Sequence, residues 1–238
     1  MTTLIGLVTK KDETGVILAS DLTTTHESWE TKGDVAVRKQ SQTESRKIHV
    51  SDDKNLAVSM AGLRDTNYTE FLYDLIHGKI DFQKSIKRGS FKELLDLNLS
   101  RFNGGTWQNQ YTNSLLIATN YGGEPKLWTC FPLGRIEERI HTSVGSGSED
   151  ALNYINRQTA DNLSSREIDI PRGIYLVTAA LHAASADLYT RGLDIVVLTK
   201  TKTYEFGDEI KTTLESAKRQ TVDSIANKFK LSDKISDS

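Results

Sequence analysis

The chain is predicted to be an α+β protein: two antiparallel sheets stacked face to face, with helices outside them. Three observations carry that expectation. Apolar, β-branched runs arrive in hairpin-sized pairs, and helical stretches come in runs of their own rather than alternating with single strands. No linker rich in Pro, Gly or Ser divides the 238 residues. A chain of this length buries one sizeable core. A single domain over residues 1–238 is therefore expected, with the closing "LSDKISDS" frayed.

"TTLIGLVT" and "GVILASD" read as strands joined by the polar turn "KKDETG". A polar, Trp-containing insertion runs from Thr23 to Ser45, with Gly33 near its middle and the bearing of a surface loop. "RKIHV" and "NLAVSMAG", split by "SDDK", form a second hairpin. "DTNYTEFLYDLIHG" is helical: Asp65 or Thr66 can cap it, Phe71, Leu72, Leu75 and Ile76 make its apolar stripe, and Gly78 ends it. "SFKELLDLNLSRFNGG" repeats the pattern, with Ser90 as cap, Glu93 three residues on, and Gly104-Gly105 as the stop. "NSLLIATNY", "PKLWTCF" and "RIEERIHTSV" read as a meander of strands. Two helices follow, "SGSEDALNYINRQ" and "PRGIYLVTAALHAASADLY", the second opened by Pro171. "LDIVVLTK" and "TYEF" make a last hairpin, before a polar helix from Glu209 towards Lys230.

Composition excludes several classes of function. With 37% hydrophobic and 26% charged residues the chain has the make-up of a soluble globular protein. Its net charge of −2 gives no electrostatic footprint for nucleic acid or an anionic membrane. No run approaches the roughly 20 apolar residues of a membrane span, and the N-terminus lacks the basic and apolar regions of a signal peptide. The single cysteine, Cys130, excludes an internal disulfide and a multi-cysteine metal site, and fits a reducing cytoplasm. His49, His77 and His141 show no metal-ligand spacing, so neither metal nor organic cofactor is expected.

Chemistry concentrates at the start of the chain. In "MTTLIGL", trimming of Met1 would leave Thr2 with a free α-amine and a hydroxyl on one residue. An α-amine has a pKa near ~8 and can accept a proton at neutral pH, so hydroxyl and base come together in one residue. Asp21 ends the second strand, and an adjacent antiparallel pairing brings that end back towards Thr2. Lys47 starts the third strand; an ammonium there would stabilise an alkoxide, and Asp21 would hold the ammonium. The backbone N–H of Gly62 could serve an oxyanion, since no side chain blocks it. "GSGS" before a helix could cradle an anion, but it lacks the Lys and the strand-loop spacing of a phosphate loop.

The order of these motifs matches a family. "TTLIGLVT", "GVILASD", "RKIHV", "NLAVSMAG", "SLLIATNY", "GSGSEDALNYI" and "DLYTRGLDIVVLTK" together resemble the proteasome β subunits and their N-terminal-nucleophile relatives, from Thr2 to about Lys202. The resemblance implies a four-layer αββα sandwich and a threonine-type endopeptidase acting through an acyl-enzyme. Residue by residue it makes Thr2 the nucleophile, with Asp21 and Lys47 as its partners. Ser146, Asp187 and Thr190 become the polar group that positions the terminal amine, with Thr190 standing where the family usually has Ser. Gly62 becomes the oxyanion donor, Thr25 the residue holding substrate backbone extended, and Met60 a wall of the specificity pocket. Polypeptide substrates are implied, along with a homo-oligomeric ring or α-ring partner subunits, and an ATP-dependent unfoldase as a further partner.

Three features depart from the usual pattern. No propeptide precedes Thr2, as in the bacterial two-ring homologues; no N-terminal helix of the α-subunit kind is present; and the segment between Asp21 and Lys47 is longer than usual. That last segment borders the substrate cleft. Two alternatives therefore stand beside the peptidase: a relative that passes the acyl group to a peptide amine, as a ligase or transpeptidase would, and a non-catalytic ring subunit.

Overall fold

Strands β1 (Thr3–Thr9) and β2 (Gly15–Asp21) pair antiparallel, with Leu4 opposite Ser20 and Thr9 opposite Gly15. Every residue of both strands is buried, which explains why each reads as an unbroken apolar run rather than an alternating one. The computed structural model describes residues 3–11, 13–32, 35–62, 66–82, 114–131, 136–160, 168–184 and 192–207. The helix expected over "SFKELLDLNLSRFNGG" and the one from Glu209 lie outside these residues.

The remaining described strands are β3 (Thr23–Lys32), β4 (Val35–Glu44), β5 (Ile48–Val50), β6 (Leu56–Ala61), β7 (Ser114–Thr119), β8 (Lys126–Cys130), β9 (Ile136–Arg139), β10 (His141–Gly145), β11 (Leu193–Thr199) and β12 (Thr203–Phe206). Among the described residues the helices are α1 (Thr66–Ile76), α2 (Ser148–Ala160) and α3 (Ile170–Ala184). One sheet runs β10-β1-β2-β11-β12 and a second runs β5-β6-β7-β8-β9, all neighbours antiparallel.

Three apolar clusters define four layers. Ile5, Leu7, Ile17 and Ile195 on one face of the first sheet pack against Ile155 of α2 and Val177 and Leu181 of α3. Leu4, Val8, Leu18 and Val196 on its other face meet Ala57, Leu116 and Leu127 of the second sheet. Val58, Met60 and Ile117 on the far face of that sheet cover Leu72 and Leu75 of α1. The result is an αββα sandwich, as the sequence leads one to expect. Local chemistry fixes the helix ends: the Arg172 N–H donates to Asp169 Oδ1 at 2.8 Å as α3 begins, with Pro171 in its first turn.

Two elements differ from the sequence reading. "RIEERIHTSV" is not one strand but two, in different sheets: the chain leaves the second sheet at Arg139 and joins the first at His141, and the Ile140 carbonyl accepts from the Val8 N–H at 2.7 Å. Alternation along the chain records a strand but not which sheet receives it. The Thr23–Ser45 insertion is a hairpin, with β3 and β4 ten residues each and paired from Thr23↔Glu44 to Lys32↔Val35. Its signal in the sequence is the Gly33-Asp34 dipeptide between two polar runs of equal length.

Candidate active site

The pairing of β1 with β2 brings the end of one strand to the beginning of the other. Asp21, last in β2, uses both carboxylate oxygens there. Oδ1 accepts from the Thr3 backbone N–H at 2.9 Å, and Oδ2 accepts from Lys47 Nζ at 2.9 Å. Both side chains are buried, Lys47 to 5% exposure and Asp21 to 10%. A buried ammonium needs a nearby opposite charge to offset its lost hydration, and Asp21 supplies it. Thr3 is one peptide bond from Thr2, so the pair sits beside the residue that the sequence makes the nucleophile.

Lys47 precedes the three-residue strand β5, at the open edge of the second sheet. Its own peptide group is held on both sides. Asp194 Oδ2 accepts from the Lys47 N–H at 3.1 Å and the Ile48 N–H at 3.0 Å, and the Ser59 hydroxyl donates to the Lys47 carbonyl at 2.9 Å. Asp194 Oδ1 accepts from Arg46 Nε and Nη2 at 3.2 and 3.0 Å. The Arg46 Nη1 and Lys54 Nζ groups both reach Glu205, at 3.0 and 2.7 Å. Burial alone would lower the Arg46 guanidinium, but Asp194 and then Glu205 outweigh it and raise it above its ordinary value. Burial alone would raise the Glu205 carboxyl; Lys54 and Arg46 outweigh that and hold it below the usual range.

Met60 lies on β6 next to Ser59, the partner of Ile48. It lines a groove of about 480 Å³ between β5 and α1, with His49, Thr69, Leu72 and Ile76. Gly62 follows β6 with φ of +134°, a backbone conformation that L side chains rarely adopt, and it is exposed. Ser146 turns the chain from β10 into α2; the residue before it, Gly145, pairs with Thr3. Thr25 is opposite Gln42 in the β3–β4 hairpin. Thr2, Asp187 and Thr190 lie outside the described residues. The segment holding Asp187 and Thr190 is bounded by Ala184, which packs beside Gly147, and by Leu193, which pairs with Asp21.

A sequence model described as "Proteasome subunit" matches residues 2–198. The chain belongs to the proteasome subunit family. Among individual relatives, proteasome subunit beta 2 of Pyrococcus furiosus is 29% identical over 203 residues, 84% of this chain and 87% of that protein. Proteasome subunit beta 1 of Desulfurococcus amylolyticus is 28% identical over 208 residues, covering 83% and 89%. Proteasome subunit beta 1 of Nitrosopumilus maritimus is 34% identical over a shorter 101 residues, 41% of this chain and 49% of that protein. The αββα sandwich and the β-type relatives agree with the resemblance legible in the motifs.

Three residues at this end of the proteasome fold escaped the sequence reading. Asp194 had a visible signal: an acidic residue inside the apolar run "LDIVVLT" must be paired if the strand is buried, and Asp194 is 1% exposed. Ser59, inside "LAVSMA", had the weaker signal of a hydroxyl in a buried strand. Gly147 had none. A Cβ there would overlap Thr3 Oγ1 and press on Ala184, so β1, α2 and α3 converge on it.

Proposed function

We propose that this proteasome-family chain is a threonine-type endopeptidase whose nucleophile is Thr2, freed by removal of Met1. The buried Asp21–Lys47 pair, bonded to the Thr3 N–H, supports this reading most strongly. Thr2 Oγ attacks the peptide carbonyl carbon and forms a C–O bond, while its proton passes to the Thr2 amine, directly or through a water. Lys47 stabilises the developing alkoxide, and the Gly62 N–H receives the oxyanion. Collapse breaks the C–N bond, the leaving amine takes the proton, and an ester remains on Thr2. Water then attacks the ester, gives its proton to the Thr2 amine and restores the hydroxyl with release of the acid. Ser146, Asp187 and Thr190 hold the amine in this scheme. Thr25 holds substrate backbone extended, and Met60 walls the pocket for the side chain before the cleaved bond. No metal or organic cofactor enters it.

The β-subunit names of the relatives support assembly with further subunits, into a ring of this chain alone or with α-type partners; an unfoldase that feeds polypeptides to it and a cytoplasmic location complete the proposal. Among the described residues no helix is long and apolar enough to cross a membrane. A non-catalytic ring subunit would have no use for a buried cation beside its N-terminal residue, and this favours the enzyme. Solution mass measured beside the mass of the N-terminal peptide tests the proposal. A large ring with Thr2 exposed and hydrolysing peptides is expected; a large ring with Thr2 exposed and inert towards all peptides would leave a structural subunit instead.

A further inference from the structure

Lys47 is gripped at both ends. Asp21 on β2 holds its ammonium, and Asp194 on β11 holds the N–H of its peptide group. β2 and β11 are neighbours, with Asp194 opposite Ser20 and Leu193 opposite Asp21. The two carboxylates therefore rise from adjacent rungs of one sheet to hold a lysine of the other sheet. We infer that Asp194 is a positioning residue, setting the place from which the Lys47 side chain reaches Asp21 and the Thr2 hydroxyl; the second half of this rests on the peptidase reading.

The chemistry of Asp194 fits that task better than simple sheet-to-sheet adhesion. It is 1% exposed, and burying a carboxylate is costly unless its oxygens are satisfied. Four donors satisfy it, and two of them are consecutive backbone N–H groups at residues 47 and 48. Here β5 is a three-residue edge strand, paired with β6 from Ile48 onward, so Lys47 lies just ahead of the ladder. Asp194 and the Ser59 hydroxyl restrain the two sides of the Lys47 peptide unit with directional hydrogen bonds. Apolar contact between sheets would be non-directional and could not fix that backbone. Misplacing a catalytic group by about 1 Å through a distant change can lower rate about 10²-fold.

The test compares Asp194→Asn with Glu205→Gln, which cuts only the outer end of the same charge network. Asn has one acceptor oxygen where Asp has two, so either the two backbone N–H groups or Arg46 must face an amide NH₂. The readouts are kcat and KM on a fluorogenic peptide and the ¹³C signal of the Lys47 Cε methylene, assigned by its loss in Lys47→Arg. Asp194→Asn is expected to lower kcat tenfold to about a hundredfold with KM within about twofold, and to move the Cε signal. Glu205→Gln should leave kcat and the Cε signal near wild type. Should Asn fail to fold, Asp194→Glu keeps charge and acceptors but displaces them by a methylene, and the same two effects are expected. An unmoved Lys47 signal in the folded variant overturns the inference whatever the activity. A moved signal in a protein whose wild type cleaves no peptide upholds the grip on Lys47 and sinks the peptidase reading alone.

Discussion

The Lys47 ammonium meets the Asp21 carboxylate at 2.9 Å with both groups almost wholly removed from water. Removing one partner of such a pair leaves an uncompensated buried charge, at a cost of about 3–5 kcal/mol. Stability and rate should therefore separate across a short series. Lys47→Met and Asp21→Asn each destabilise the fold, the double variant recovers much of that loss, and none recovers activity, with rates down roughly 10²–10⁴. Thermal unfolding and peptide turnover measured on the same samples check this. A Lys47→Met protein that keeps most of its rate would remove Lys47 from the chemistry.

Gly147→Ala should be damaging out of proportion to one methyl group. The new Cβ overlaps Thr3 Oγ1 and crowds Ala184, so β1 or α3 must shift. Overpacking of this kind costs about 1–3 kcal/mol. A shift of Thr3 carries Thr2 with it, so a fall in kcat should accompany a lower Tm. Unchanged kcat at a temperature well below unfolding would show that the start of β1 is not displaced.

Substrate preference should follow the groove beside Met60, giving fastest cleavage after a medium or large apolar side chain. The preference is expected to be graded, since one misfit methylene is worth only about 1–3 kcal/mol. A panel of fluorogenic peptides differing in the residue before the scissile bond reads it directly, and Met60→Ala should shift the optimum to larger residues. Fastest cleavage after Asp or Arg would contradict the assignment.

Acid should weaken the fold partly through Glu205. Its carboxyl is held below the ordinary range, so its ionised form stabilises the folded state above the unfolded value of about 4.3. That contribution is lost as pH falls through the lowered folded value. Tm measured from pH 7 to pH 3 should fall less steeply for Glu205→Gln than for wild type. Parallel curves would mean that the Lys54 and Arg46 contacts contribute nothing in solution.

The architecture was legible where burial is two-sided. β1, β2 and β11 announce themselves as apolar runs because each face meets another layer, and the register of a short hairpin sufficed to bring Asp21 to the first strand. Lys47 followed from its position at the head of the next strand. What escaped depends on partners distant in sequence. The switch at Ile140 from one sheet to the other leaves no local mark. The β3–β4 hairpin is too polar to look like strands, although the Gly33-Asp34 dipeptide is a turn signal in the sequence. Asp194 is legible only to a reader who asks what a buried acid is paired with, and its answer, the peptide groups of Lys47 and Ile48, lies 147 and 146 residues away.

The β3–β4 hairpin bears on the fate of the acyl-enzyme. Water and a bound amine compete for the ester, and a ligase would need a second peptide site to orient the amine. With millimolar competing peptide amines present, hydrolysis is expected to dominate, and shortening the hairpin about Trp29 should leave the ratio of products unchanged. Mass spectrometry that finds mainly joined peptides, lost on that shortening, would replace the peptidase by a ligase.

The proposed peptidase chemistry depends on an ester formed at Thr2. A peptide β-lactone opened by a hydroxyl leaves its whole mass on that residue, so intact-protein and peptide mass spectrometry after incubation locate the nucleophile. The expected result is one adduct per chain, on Thr2 of protein lacking Met1, absent from Thr2→Ala and from protein carrying residues ahead of Thr2. Peptide hydrolysis by protein with a verified extended N-terminus, or an adduct on any other residue with Thr2 untouched, would contradict it.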